Sequence, residues 1–365
     1  MGMVVCCTQW ARVKASFCLV LSSCAVHSPK PVSGGVLQSI LWLCQGHSSL
    51  PSVRFRVNPF VEEARRRGVE VDVAVYPASA FKRLIFYVDL LSKSKKYDVC
   101  VVQKRLVGSF EVALLRKSAR VVAYDYDDAV WTNQQEALPP GQGFRSRRLN
   151  STVASMDVII AGNEYLASAV QGHTCVVIVP TPIDTNVYVP CAEHDEHHSL
   201  CVGWMGTSGY LSGIKDAVRL IHASTQKKIL VVSNKMPDQD VLECVDYVEW
   251  SGDRELEYIQ RMDIGIMPID DDPYTRGKCG FKILQYMSCG VVPIASDVGF
   301  NREIIKHGVN GFLVSRNDEW PLYVKKLSDS RSLLMEMSQR ARQDVVERFD
   351  LRIAATRYLD ALNSR

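Results

Sequence analysis

Asp271-Asp272-Pro273-Tyr274-Thr275-Arg276-Gly277-Lys278-Cys279-Gly280-Phe281-Lys282-Ile283-Leu284-Gln285-Tyr286-Met287-Ser288-Cys289-Gly290-Val291-Val292-Pro293-Ile294-Ala295-Ser296 is the stretch from which the rest of this chain can be read. It reads as a strand end, a basic loop with glycines, an amphipathic helix, a glycine cap and a buried strand. Gly277 and Gly280 let the backbone come close to a ligand at a helix N-terminus, where free N–H groups and the dipole attract phosphate. Lys278 and Lys282 stand four apart on one helix face and can reach the same phosphate. Asp297-Val298-Gly299-Phe300-Asn301-Arg302-Glu303-Ile304-Ile305 follows as a second loop opening a second helix. Two adjacent helix N-termini with basic side chains suit a diphosphate. The plainer alternative is a pair of surface lysines on an ordinary helix.

Outward from this stretch, short Val- and Ile-rich runs alternate with helical segments in both directions. The pattern predicts strands at 40–44, 69–76, 99–103, 121–124, 158–161 and 176–179, then again at 200–205, 228–233, 247–250, 264–268, 291–295 and 311–314. Such alternation implies βαβ units, parallel sheets and helices on both sheet faces. Pro180, Pro182, Pro190 and the polar run Glu193 to Ser199 mark a break between two such units. The expected layout is an atypical extension at 1–38, a first domain at 39–180 and a linker at 181–198. A second domain follows at 199–345 and a final helix at 346–365, with Asp350 as its cap. Ligand sites in such sheets lie at the carboxyl ends of the strands, here facing a cleft between the domains.

Composition narrows the class. With 365 residues, 47% hydrophobic and 23% charged, the chain has the make-up of a folded two- or three-domain protein. Gly 22 and Pro 15 are too few for a collagen or a low-complexity chain. No apolar run approaches the ~18 residues that a membrane-spanning helix needs. A net charge of +3 is too small to argue for nucleic acid. The charge is uneven, however: residues 1–190 hold 21 Lys/Arg against 14 Asp/Glu, and residues 191–365 hold 22 against 26. Basic clusters at Arg65-Arg66-Arg67, Lys82-Arg83, Lys93 to Lys96 and Arg145-Ser146-Arg147-Arg148 suit an anionic surface or a phosphorylated substrate, or else are solvated helix faces.

Twelve cysteines form no CxxC pattern, and several sit inside apolar runs, as buried free thiols do. His194, His197 and His198 fall in the polar linker rather than in a ligand spacing. Arg12 and Lys14 before the apolar run Ala15 to Val26, with Leu21-Ser22-Ser23-Cys24, have the look of a lipoprotein export signal. The other reading is an unfolded extension or a mis-assigned start, which a cytoplasmic substrate would favour.

The central stretch strongly resembles the donor-binding region of family 4 (group 1) retaining glycosyltransferases of the GT-B fold. The likeness extends over about Ser39 to Arg365 and includes Pro51-Ser52-Val53-Arg54-Phe55-Arg56-Val57, Tyr124-Asp125-Tyr126-Asp127-Asp128-Ala129-Val130-Trp131, Pro180-Thr181-Pro182-Ile183-Asp184 and His307-Gly308-Val309-Asn310-Gly311-Phe312-Leu313-Val314. It implies an α/β protein of two Rossmann-like domains with parallel sheets facing a central cleft. The second domain would take a nucleotide-diphosphate sugar and the first an acceptor, with the final helix crossing back. The family's Glu-x7-Glu pattern is departed from here, because its positions hold Gly277 and Gln285. Gln285 can still hydrogen-bond a ribose hydroxyl, and Asp271 or Asp272 is the candidate substitute for the missing carboxylate.

Carried over residue by residue, Lys278, Lys282 and the N–H groups around Gly299 hold the diphosphate, with Lys282 stabilising charge in the reaction. Gly206, Gln285, Asn301 and Glu303 line the nucleotide or sugar. Asp127 and Asp128 orient the acceptor, and one is a candidate base; the alternative for them is a helix cap with an ion pair. The expectation is no metal and no cofactor beyond the nucleotide-sugar donor, although Asp270-Asp271-Asp272 has the look of a metal motif. A glycan or lipid-linked acceptor and contact with the cytoplasmic face of an anionic membrane complete the picture, in cell-surface polysaccharide or glycolipid synthesis. Two rival readings are a non-catalytic sugar-nucleotide-binding or scaffold member and a sugar-nucleotide epimerase. A dinucleotide oxidoreductase would need GxGxxG after the first strand, and Gln45-Gly46-His47-Ser48 is not that.

Overall fold

The structure, a computed structural model, describes residues 37–364 apart from 48–49, 93–95, 171, 174 and 192–198. Residues 1–36 of the N-terminal extension, the linker histidines and Lys93 and Lys95 therefore lie outside the described residues.

The apolar runs become two parallel sheets. The first contains β1 (Ser39–Cys44), β2 (Glu70–Val75), β3 (Tyr97–Gln103), β4 (Ala119–Tyr126), β5 (Val158–Ala161) and β6 (Val176–Ile178). Its order is β2-β1-β3-β4-β5-β6. Alternate residues serve two cores, as the strand period of two requires: Trp42, Val99, Val101 and Ala123 pack on one face, and Leu43, Cys100, Val102 and Tyr124 on the other. The helices are α1 (Asn58–Arg66), α2 (Ala80–Ser92), α3 (Ser109–Ser118), α4 (Gly143–Val153) and the short α5 (Glu164–Ser168). Gly68, at φ +83°, ends the turn after α1 in the left-handed region that glycine adopts without a Cβ penalty.

The second sheet contains β7 (Val202–Met205), β8 (Ile229–Ser233), β9 (Val245–Glu249), β10 (Ile264–Met267), β11 (Val292–Ser296) and β12 (Phe312–Val314). Its order is β12-β11-β10-β7-β8-β9, which is the nucleotide-binding order 3-2-1-4-5-6 counted from the other edge. The direction of winding reverses between β7 and β10, so a crevice opens beyond Met205 and Met267. Around the sheet lie α6 (Leu211–Thr225), α7 (Glu255–Gln260), α8 (Phe281–Ser288), α9 (Asn301–Ile304), α10 (Glu319–Ser328) and α11 (Arg331–Arg348).

The last helix, α12 (Leu351–Asn363), returns to the first domain. Its Tyr358 ring lies 5.2 Å from Trp42 and 4.4 Å from Phe60, and Leu351, Ala355 and Leu362 are buried in the same core. Asp350 starts it by accepting the Arg352 N–H at 2.9 Å and the Thr185 hydroxyl at 2.5 Å. Eight cysteines among the described residues are free thiols, with Cys44, Cys100, Cys279 and Cys289 buried.

The second helix of the central stretch, opening at Asn301, ends at Ile304, because the Asn310 side chain accepts the Lys306 N–H at 2.7 Å and donates to the Ile304 carbonyl at 3.2 Å. The exposed Arg65-Arg66-Arg67 cluster makes local contacts on its helix. Arg66 and Arg67 pair with Glu63 at 2.5 and 2.9 Å, and Arg65 donates to the Val71 carbonyl.

Candidate functional site

The loop between β10 and α8 is shaped by its own acids. Asp272 Oδ1 accepts the N–H groups of Tyr274 and Thr275 at 2.7 and 2.8 Å, and Asp271 pairs with Arg276 at 2.6 Å. Both carboxylates take part in holding the turn. Among the described residues no group of three or more His, Cys, Asp or Glu is placed to hold a metal ion.

That turn delivers Lys278 and Lys282 to an aromatic floor. Lys278 Nζ donates to the Tyr210 hydroxyl at 2.8 Å and lies 4.7 Å from the Tyr274 ring centre. Lys282 Nζ lies 4.9 Å from the Trp204 ring and 5.3 Å from Tyr210. It also rests against Gly206, where a side chain would collide with it. Ring faces attract ammonium groups, so two cations can be held together at the carboxyl end of β7. Burial, with the Lys278 charge second, pulls Lys282 down to about 7. Burial also acts against charge on Lys278, but Asp128 and the tyrosines outweigh it and hold Lys278 above the usual lysine range.

The first domain supplies the opposite wall. Asp127 and Asp128 follow β4 and share Lys104, whose Nζ is 2.6 Å from Asp127 and 2.5 Å from Asp128. Lys104 has a φ of +55°, uncommon for a residue with a side chain, inside a tight turn in which the Arg105 N–H reaches the Gln103 carbonyl at 2.7 Å. Asp127 also accepts the Thr181 hydroxyl at 3.3 Å, whereas the Asp128 side chain is 40% exposed. Loss of water around its carboxyl raises Asp128, yet Lys104 and Lys278 together hold it below the ordinary carboxylate range. Beneath them Arg56 and Asp125 form a fully buried pair at 2.7 Å, with Arg56 also donating to the Val179 carbonyl at 3.1 Å.

The walls are tied together. The Asn163 amide donates to the Lys278 carbonyl at 3.1 Å, and the Cys279 thiol reaches the Asp127 carbonyl at 3.3 Å. A Cβ on Gly277 would sit 2.8 Å from Ala129 Cβ and 3.0 Å from its nitrogen. The approach of this loop to Ala129 thus leaves no room for a side chain at Gly277. Phe55 packs on Phe281 at 4.4 Å, and Arg54 reaches Glu255 at 3.0 Å. Arg54, Phe55 and Arg56 lie in a wide helical turn, Val53–Val57, that precedes α1 and aims them at three different partners.

The other expected site residues fall in different places. Gln285 is buried, and its amide donates to Glu255 at 3.1 Å and to the Tyr188 hydroxyl at 3.2 Å, so a ribose contact through that amide is not what the geometry offers. Asn301 is buried too; its amide donates to the Ser296 carbonyl at 3.0 Å and braces the loop. The helix it begins, α9, is a single turn, too short for a strong dipole. Gly299 has a φ of +50° and presses on the Arg276 backbone, where a Cβ would sit 2.9 Å away. Glu303 is exposed on the cleft rim; partial burial and then Glu164 of α5 raise its carboxyl. The structure therefore brings together Gly206, Lys278, Lys282, Asp127 and Asp128. It adds Lys104, Asn163, Trp204, Tyr210 and Tyr274, of which only Lys104 had a usable signal, a cation directly ending a buried strand.

Known proteins share this architecture. Residues 196–329 match the family model for Glycosyl transferases group 1. The sequence is 28% identical over 109 residues to the GDP-Man:Man(3)GlcNAc(2)-PP-Dol alpha-1,2-mannosyltransferase of Dictyostelium discoideum, a match covering 28% of this chain. The chain spans about a fifth (20%) of that relative's length. Anabaena HepE, solved in complex with UDP and glucose, superposes with a TM-score of 0.69 at 16% identity, covering 90% of this chain and 100% of that one. Sucrose-phosphate synthase of Thermosynechococcus elongatus gives a TM-score of 0.69 at 15% identity, over 88% and 97% of the two chains. The fold is GT-B.

Proposed function

We propose that this protein is a glycosyltransferase that moves a sugar from a nucleotide-diphosphate sugar, held by the second domain, to a hydroxyl of a glycan or lipid-linked acceptor on the first. The observation that carries the proposal is the Lys278–Lys282 pair. Two ammonium groups sit on aromatic rings at the crevice where β7 and β10 diverge, facing Asp128 across the cleft. The match of residues 196–329 to the group 1 model and the UDP complexes of HepE support the choice of donor.

The chemistry follows from charge. Cleavage of the sugar–diphosphate bond puts negative charge on the leaving diphosphate, and Lys278 and Lys282 stabilise it. Lys282, drawn down to about 7, regains full charge when the diphosphate arrives. Asp128 is a poor proton acceptor because it is held ionised below the usual range, but it can accept a hydrogen bond and orient the attacking hydroxyl. The hydroxyl proton passes to the leaving diphosphate on the same face of the sugar, and the configuration is retained. Cationic side chains take the place of a metal, and no cofactor besides the donor is used.

Among the described residues no helix is long and apolar enough to cross a membrane. Contact with an anionic cytoplasmic membrane surface is assigned to α2, which exposes Phe81, Leu84, Ile85 and Val88 beside Lys82. Gly277 and the buried Gln285 favour one rival, a non-catalytic member of the fold. Incubation with UDP-, GDP-, ADP- and TDP-sugars, with and without oligosaccharide or lipid-linked acceptors, separates the readings. Acceptor-dependent release of a nucleoside diphosphate, with a retained anomer by NMR, supports transfer. Binding without turnover supports the non-catalytic reading, and acceptor-free conversion of the sugar supports an epimerase.

A further inference from the structure

On the first domain, away from the Lys278–Lys282 pair, a cavity of about 390 Å³ opens at the carboxyl ends of β1 and β3, where that sheet's winding reverses. Its walls include Arg83, Lys104, Arg105, Arg145 and Arg148, with Glu111 the one acid among its lining residues. Arg83 is 3.4 Å from Glu111, and Lys104 is committed to Asp127 and Asp128. Arg105, Arg145 and Arg148 have no ion-pair partner among the described residues. Arg105 stacks over Tyr76 at 5.3 Å, while Arg145 and Arg148 donate to the carbonyls of Val130 and Leu106, each at 3.1 Å. Three guanidinium groups lining one concave site repel one another unless an anion joins them, and their forked donors fit phosphate oxygens.

We propose that this cavity binds a phosphate or diphosphate group carried by the acceptor. The inference rests on the transferase reading and names its substrate class. Lys104 is the wall shared by the cavity and the carboxylate pair, so a phosphate seated there places the rest of the acceptor beside Asp128. The strained turn at Lys104 is what faces its ammonium toward the carboxylates while Arg105 faces Tyr76. The phosphate can belong to a soluble ester or to a lipid headgroup. Phe144 lines the cavity and is 66% exposed, and Arg83 belongs to α2, whose apolar face is open.

The test uses the full chain and inorganic pyrophosphate in calorimetric titration. The Lys278→Ala/Lys282→Ala variant is expected to keep one pyrophosphate site, because the cavity is intact. The Arg105→Gln/Arg148→Gln variant is expected to lose that cavity affinity at least tenfold while binding nucleoside diphosphate as the wild type does. Its thermal melting checks that it is folded, and Arg105→Lys/Arg148→Lys should recover part of the affinity. Sedimentation with phosphatidylcholine vesicles, with and without phosphatidylglycerol, distinguishes the sources. Vesicle binding that needs both phosphatidylglycerol and the cavity arginines assigns a lipid headgroup, and pyrophosphate binding without it assigns a soluble ester. Equal pyrophosphate affinity in the cavity variant and the wild type overturns the proposal even if donor binding is intact. Loss of donor binding alone overturns the transferase reading instead.

Discussion

Lys282 Nζ stands 4.9 Å from the centre of the Trp204 ring, buried and under the like charge of Lys278. A lysine drawn down to about 7 is largely neutral at pH 8 in the empty site, and an incoming diphosphate restores its proton. Donor binding at pH 8 should therefore take up a proton, and affinity should weaken as pH rises through 7. Calorimetry in buffers of different ionisation enthalpy measures this. In Lys282→Met the uptake should vanish; equal uptake in both proteins would assign the proton elsewhere.

The same residue sets a stability trend. Its folded value lies below the unfolded lysine value near ~10.4, so the unfolded chain binds the extra proton between the two. Stability is thus expected to fall as pH drops from about 10 toward 7, and this component should be flat below 7. Urea unfolding of the wild type and Lys282→Met across that window should differ in slope, with the variant less pH-dependent.

The strands and their break into two sheets were legible because buried parallel strands are continuous apolar runs, as in Val99 to Val102 and Ile264 to Met267. The two lysines were legible as residues but not in their geometry: Lys278 lies in extended backbone before α8, which begins at Phe281 after a left-handed Gly280, so the loop and not a shared helix face brings it to Lys282. Gln285 misled because its partners Glu255 and Tyr188 lie 30 and 97 residues away, and no local pattern shows which side of a helix a distant segment will cover. Asn163 and Tyr210 were invisible for the same reason. The arginine cavity was half legible: the run at Arg145 to Arg148 stood out, but not its convergence with Arg83 and Arg105.

Placing a carboxylate in this loop by Gly277→Glu is expected to reduce both stability and turnover rather than improve catalysis. The new Cβ would press on Ala129, and overpacking of this kind costs about 1–3 kcal/mol. Thermal melting and product formation measured side by side check this. Unchanged melting with raised turnover would mean that the domains close differently in the working enzyme.

Breaking the pair below the acceptor wall should be costlier. Arg56→Met leaves Asp125 buried without its partner, a change worth roughly 3–5 kcal/mol. Unfolding in urea should show a large fall in midpoint. A loss below about 1 kcal/mol would mean that water reaches Asp125 and that the pair does not anchor the strand end.

Asn163→Ala removes the amide that holds the Lys278 carbonyl from the opposite domain. The expected result is a weaker donor affinity together with a fall in melting, because the same side chain also caps α5 by accepting the Leu166 N–H at 2.8 Å. Unchanged donor affinity would limit Asn163 to its cap of α5.

The central claim, that Lys278 and Lys282 hold a nucleotide-sugar diphosphate without metal, is tested most directly by one titration. The full chain and its Lys278→Ala/Lys282→Ala variant are titrated with UDP-, GDP-, ADP- and TDP-sugars in chelator-containing buffer. The account predicts that one nucleotide family binds the wild type and that the variant, folded by thermal melting, binds it at least tenfold more weakly, about 1.4 kcal/mol or more. Equal affinity in both proteins, or no binding of any donor by a cooperatively folded wild type, would contradict it.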